Sequence, residues 1–166
     1  MQTISDDDLH QLSIQASKLL LARNWMLCCA ESCTGGWLAK CCTDIVGSSI
    51  WFERGFVTYS NQAKHEMLEV RLSTLNKFGA VSEQTVIEMA QGALLHSKAH
   101  ISVAITGVAG PDGGTNDKPV GLVHFAWATA NSTLNTDVHH FTGSRETIRR
   151  QAVMIALQGI IKNASD

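Results

Sequence analysis

Hydrophobic and polar positions along this chain follow two periods, and the switches between them divide it into helices and strands. From Asp6 to Arg23, the residues Leu9, Leu12, Ala16, Leu19 and Leu20 recur at helical spacing. Acids open that segment and Lys18 and Arg23 close it, which predicts an amphipathic helix packed on a core. Met26 to Ala30 is an apolar run too brief for a helix and reads as a buried strand. Trp37 to Thr43 is helix-like and closes near Gly47. Ile50 to Tyr59 carries Trp51, Phe52, Phe56, Val57 and Tyr59, an aromatic and β-branched set that favours a strand. Gln62 to Leu68 follows as a helix capped by Ser60 or Asn61, and Ser73 to Lys77 is a short helical turn.

Ser82 caps the next helix, Glu83 to Lys98, whose Val86, Met89, Ala90, Ala93 and Leu94 line one face. Ile101 to Thr106 and Val120 to Thr129 read as strands. Thr136 to Thr142 is the antiparallel neighbour of the latter, across the polar link Asn131 to Asn135. A final helix runs from about Arg145 to Lys162. This order predicts an α/β fold, a three-layer α/β/α sandwich with a mixed central sheet, formed by one domain over residues 1–166. Ligands of such sheets sit at strand ends, where the Ser32, Tyr59 and Thr106 segments terminate.

Composition narrows the classes of function. Hydrophobic residues at 45% and charged residues at 17% fit a packed globular chain rather than a disordered one. A net charge of -2 without a dense Lys/Arg run argues against a nucleic-acid grip. Met1 to Asp8 is acidic and polar and does not read as a signal peptide, and no apolar stretch reaches membrane-spanning length, so a cytoplasmic location without a membrane partner is expected. The five cysteines, Cys28, Cys29, Cys33, Cys41 and Cys42, show no C-x-x-C spacing and read as packed thiols rather than a metal site. His139 and His140 point to opposite faces of a strand and cannot ligate one metal together.

The candidate chemistry centres on Ala30-Glu31-Ser32-Cys33-Thr34-Gly35-Gly36, between a strand and a helix. There, Gly35 and Gly36 would stand at a helix N-terminus whose free N–H groups receive a phosphate or an oxyanion, with Ser32 as nucleophile. The competing reading is a plain turn with Ser32 or Thr34 as N-cap. Lys64 falls in the first turns of its helix, where the dipole lowers proton affinity, but the sequence alone favours a solvated surface lysine, since most lysines are exposed. Gly47-Ser48-Ser49 offers hydroxyls for capping or for a ligand. The glycine-rich loop Thr106 to Thr115 matches neither nucleotide fingerprint. Arg145, Arg149 and Arg150 oppose the dipole at the start of the last helix and answer either to an anion or to solvent.

Several separated stretches together resemble the CinA C-terminal domain family: the Ser32 motif, Gly47-Ser48-Ser49, Trp51 through Asn61, Gly79 through Glu83, Thr106 through Gly114, and Lys118 through Gly121. The resemblance is closest to the stand-alone members that act as nicotinamide mononucleotide deamidases. It implies hydrolysis of the carboxamide of nicotinamide mononucleotide to nicotinate mononucleotide and ammonia, in pyridine nucleotide recycling, with no metal or other cofactor. By the same resemblance Ser32 is the nucleophile, Lys64 its base and Tyr59 a supporting hydroxyl that relays or positions the proton.

Backbone donors from Thr34 to Gly36 would hold the oxyanion. Ser48, Thr106, Gly107, Gly110, Arg145 and Arg149 are expected to contact the substrate, the last group around its phosphate. A homodimer is expected from the prevalence of paired folds. Longer family members carry another enzymatic domain, whose functions are not carried over. The alternative is a catalytically silent nucleotide-binding module with a regulatory or competence-associated role, and a third reading makes Cys33 the nucleophile.

Overall fold

Ser5 closes the first turn of α1 (Asp6–Ala22): its hydroxyl accepts from the Asp8 N–H at 3.1 Å while the Asp8 carboxylate accepts from the Ser5 N–H at 2.7 Å. That reciprocal cap starts the helix where the acidic run predicts it. The computed structural model describes residues 4–165; Met1 to Thr3, the beginning of the polar N-terminal stretch, and Asp166 lie outside the described residues. The remaining elements are β1 (Leu27–Glu31), α2 (Trp37–Thr43), β2 (Phe52–Val57), α3 (Asn61–Leu68), α4 (Leu72–Phe78), α5 (Glu83–Leu95), β3 (Ile101–Gly107), β4 (Leu122–Thr129), β5 (Leu134–His140) and α6 (Arg145–Ser165).

The five strands form one sheet in the order β2-β1-β3-β4-β5. The first three run parallel, β4 pairs antiparallel with β3 and β5 antiparallel with β4, so the sheet is mixed with β4 alone reversed. Helices α1, α2 and α6 cover one face and α3, α4 and α5 the other, which completes the three-layer sandwich. Differences from the sequence reading are local. β4 begins two residues late because Gly121, at φ +94°, turns the chain against the Phe141 carbonyl, where a Cβ would lie 1.9 Å from oxygen. β5 begins at Leu134 because the Thr129 N–H bonds the Thr133 carbonyl in a tighter hairpin than the polar link implied.

Strand alternation sorts the core by size. The α6 side receives Leu27, Ile101, Val103, Phe125 and Trp127, whereas the α5 side receives Cys28, Ala30, Ala104, Ala126 and Ala128. Small residues let α5 lie close enough for the Ser102 hydroxyl to bond the Ala90 carbonyl at 2.8 Å. The same closeness recurs between α5 and α3, where a Cβ on Gly92 would fall 2.0 Å from the Leu68 oxygen. That contact anchors the end of α3 and thereby sets where Lys64 enters the core.

Candidate active site

The three parallel strands finish at one edge, with Glu31 beside both Val57 and Ile105. The next position continues both ladders: the Ser32 N–H bonds the Ile105 carbonyl at 3.0 Å and the Thr58 N–H bonds the Glu31 carbonyl at 2.9 Å. Thr58, Ser32 and Thr106 therefore form a row of hydroxyls that alternation turns toward α3 and α5. Ser60 caps α3 by accepting from the Ala63 N–H at 3.0 Å, and the helix carries Lys64 over this row.

Lys64 is 1% exposed. Its Nζ lies 3.0 Å from Ser32 Oγ and 2.7 Å from the Thr58 carbonyl, and no carboxylate pairs with it among the described residues. Burial pushes its pKa down from 10.5 to about 8, against a smaller opposing influence of Cys33. The solvated-lysine reading is thus overturned, and the main cause of the depressed proton affinity is desolvation.

The Ser32 turn is held from two sides. Glu31, 0% exposed, places its carboxylate at the start of α2 and accepts from the N–H groups of Gly36, Leu38 and Ala39 at 3.1, 3.1 and 2.9 Å. From α6, Arg149 donates to the carbonyls of Cys33 at 3.0 Å and Thr34 at 2.9 Å. The Gly35 N–H bonds the Ser32 carbonyl at 3.1 Å. Gly35 and Gly36, at φ +60° and +95°, consequently supply the bend, and their N–H groups are not the free donors the sequence reading assumed. The N–H groups of Cys33 and Thr34 have no bond among the described residues.

Other expected site residues are distributed around this centre. The Tyr59 hydroxyl, expected to relay or position the proton, receives a bond from Arg145 at 2.9 Å and has no hydrogen bond to Ser32 or Lys64 among the described residues. Arg145 also donates to the Gly110 carbonyl at 2.8 Å, joining the glycine-rich loop to Tyr59. The Thr106 hydroxyl donates to the Ala80 carbonyl at 2.8 Å. Gly107 allows close strand pairing, since a Cβ there would lie 2.7 Å from the Leu122 oxygen.

Ser48, expected to contact the substrate, lies apart from the Ser32 centre. Its short turn, Ser48–Ile50, precedes β2 at the edge where Phe52 pairs with Leu27. That is the opposite end of the strands from Ser32, with the length of β1 between them. Cys33 is buried, and desolvation pushes its thiol up to about 12, which removes the thiolate needed for the third reading. The three arginines of α6 do not share one anion: Arg150 pairs with Asp6 at 2.5 Å and Glu146 at 3.2 Å, while Arg145 and Arg149 hold the neutral groups described above.

Sequence reasoning missed Glu31 and Thr58. A lone carboxylate at the end of an apolar strand, six residues before a helix, was a readable signal for the first. Thr58 acts through its backbone carbonyl, which no side-chain pattern encodes. No group of three or more His, Cys, Asp or Glu side chains positioned for a metal occurs among the described residues. No helix among them is long and apolar enough to cross a membrane.

Known proteins are similar to this chain over nearly its whole length. Nicotinamide-nucleotide amidohydrolase PncC of Escherichia coli (strain K12) is 56% identical over 155 residues, covering 93% of this chain and 94% of that protein. The protein of the same name from Enterobacter agglomerans is 51% identical over 159 residues, covering 96% and 97%. The crystal structure of the competence/damage inducible protein CihA from Agrobacterium tumefaciens superposes with a TM-score of 0.91 at 41% identity, covering 100% of this chain and 99% of that one. With the CinA C-terminal domain model matched over residues 9–164, the chain belongs to the CinA C-terminal domain family.

Proposed function

We propose that this protein is a nicotinamide-nucleotide amidohydrolase that cleaves the carboxamide of nicotinamide mononucleotide through a Ser32 acyl-enzyme. One observation carries the mechanism: an uncompensated buried amine, Lys64, sits 3.0 Å from the Ser32 hydroxyl. The activity named for the PncC relatives supplies the substrate.

A serine hydroxyl needs a base at neutral pH, and a lysine with a pKa near 8 is partly neutral there. Neutral Lys64 donates one N–H to the Thr58 carbonyl, which turns its lone pair toward Ser32. The Ser32 proton passes to Nζ as Oγ bonds the amide carbon. The carbonyl oxygen becomes an oxyanion beside the unengaged N–H groups of Cys33 and Thr34. Lys64 then returns the proton to the leaving nitrogen, the C–N bond breaks, and ammonia departs. Water attacks the resulting ester with Lys64 again accepting a proton, which returns to Ser32 as nicotinate mononucleotide is released. Arg145 is exposed, has only neutral partners among the described residues, and is the proposed contact for the 5′-phosphate, with Tyr59 and Gly110 as its resting ligands.

Ammonia release from nicotinamide mononucleotide tests the proposal. Ser32→Ala is expected to lower turnover by about 10³-fold or more with the fold intact. Unchanged turnover would remove Ser32 from the chemistry, and a wild-type protein that binds the nucleotide without hydrolysing it would favour the silent module.

A further inference from the structure

Arg149 crosses from α6 to the Ser32 turn and bonds two consecutive carbonyls, those of Cys33 at 3.0 Å and Thr34 at 2.9 Å. Its guanidinium carbon lies 5.2 Å from the centre of the Trp37 ring at the start of α2. Gly35, at φ +60°, lies beside it, and a Cβ there would stand 3.5 Å from the guanidinium, an ordinary contact distance. Two of its five N–H donors are thus spent on consecutive backbone oxygens of one turn, which ties the guanidinium to the backbone beside Ser32.

A trans peptide directs its C=O and its N–H to opposite sides. The Cys33 carbonyl and the Thr34 N–H belong to the same peptide, so the bond from Arg149 sends the Thr34 N–H away from α6. Helix α6 packs on one face of the sheet, whereas Lys64 reaches Ser32 from α3 on the other. Away from α6 is therefore toward the dyad. A cation on the carbonyl also polarises that peptide and makes its N–H a stronger donor. Glu31 complements this clamp by occupying the next donors along, at Gly36, Leu38 and Ala39.

Building on the proposed Ser32 chemistry, we infer that Arg149 is a positioning residue of the oxyanion site, orienting and polarising the Cys33–Thr34 peptide so that the Thr34 N–H faces the reacting carbonyl. It touches no reacting atom; it acts through the peptide.

Steady-state hydrolysis of nicotinamide mononucleotide by Arg149→Met and Arg149→Lys separates this from a substrate contact. Arg149→Met is expected to lower kcat by about 10²-fold with KM changed less than about threefold, the size associated with one oxyanion donor. Arg149→Lys, which keeps a cation able to reach one carbonyl, is expected to recover part of kcat. A rise in KM with kcat retained would overturn the inference and make Arg149 a phosphate ligand. Equal loss in both variants would also overturn it. The Thr34 amide resonance, measured by NMR in the same variants, gives a readout independent of turnover. A shift at Thr34 in Arg149→Met that is smaller in Arg149→Lys supports the clamp, and an unmoved resonance refutes it even if the wild-type protein proves inactive. Inactivity of the wild type alone would overturn only the proposed hydrolysis.

Discussion

Glu31 and Lys64 are both withdrawn from water at the same end of the parallel strands, at 0% and 1% exposure, yet their surroundings differ in kind. Three N–H groups from the start of α2 converge on the Glu31 carboxylate, where the helix dipole also favours a negative charge. Lys64 has a carbonyl and a hydroxyl within bonding distance and no counter-charge among the described residues. A buried charge whose donors are supplied is a structural fixture, whereas one left unmatched relinquishes its proton. The two halves of the site follow from that contrast. The α2 side holds the turn still, and the α3 side keeps an amine ready to accept a proton.

Removing the unmatched amine gives the largest expected effect. Lys64→Met should reduce amide hydrolysis by about 10³-fold while making the protein more stable at pH 7. The folded pKa of about 8 lies below the free value of 10.5, so the folded chain binds fewer protons between those values. Wild-type stability accordingly rises with pH across that window, and the penalty of burying the amine is full below pH 8. The methionine variant should gain on the order of 1 to 3 kcal/mol at pH 7, vanishing above about pH 10.5, as read by denaturant unfolding. Wild-type kcat/KM should climb with unit slope in log rate and level off above about pH 8. A flat profile from pH 6 to 9 would show that Lys64 is not the titrating base.

Removing the matched charge should act in the opposite sense. Glu31→Ala strands the N–H groups at the head of α2 and is expected to destabilise by about 3 kcal/mol, with Glu31→Gln intermediate because an acceptor oxygen remains. Equal stability of Glu31→Ala and wild type would mean that water replaces the carboxylate and that the contrast with Lys64 is not electrostatic. The smallest change is expected at Cys33, between the two. Its buried thiol has no thiolate to offer, so Cys33→Ala should keep hydrolysis within about threefold and stability within about 1 kcal/mol.

Much of the fold is legible along the chain because each element announces itself locally. The reciprocal cap at Ser5, the Ser60 and Ser82 caps and the apolar run before Ser32 all lie within a few residues of what they control. Ser32 and Lys64 are legible as candidates for the same reason, since each stands next to an element boundary. Ser48 stands apart from Ser32 because β1 and β2 run parallel, which sets the start of β2 at the opposite end from the finish of β1, and strand direction is not written in a local motif. The partners of the α6 arginines were also out of reach: Arg149 meets carbonyls 115 and 116 residues earlier in the chain, and a carbonyl is present at every position.

Periodicity and capping chemistry, then, were enough to set the order of helices and strands and to put a hydroxyl and a glycine pair at a strand-to-helix bend. Folding alone decided that Lys64 would lose its water without gaining a carboxylate, and that Glu31 and Arg149 would grip the bend from opposite sides. Proton affinity and peptide orientation depend on atoms brought together from α2, α3, α6 and the strand ends, and such sums exist only once those segments are packed.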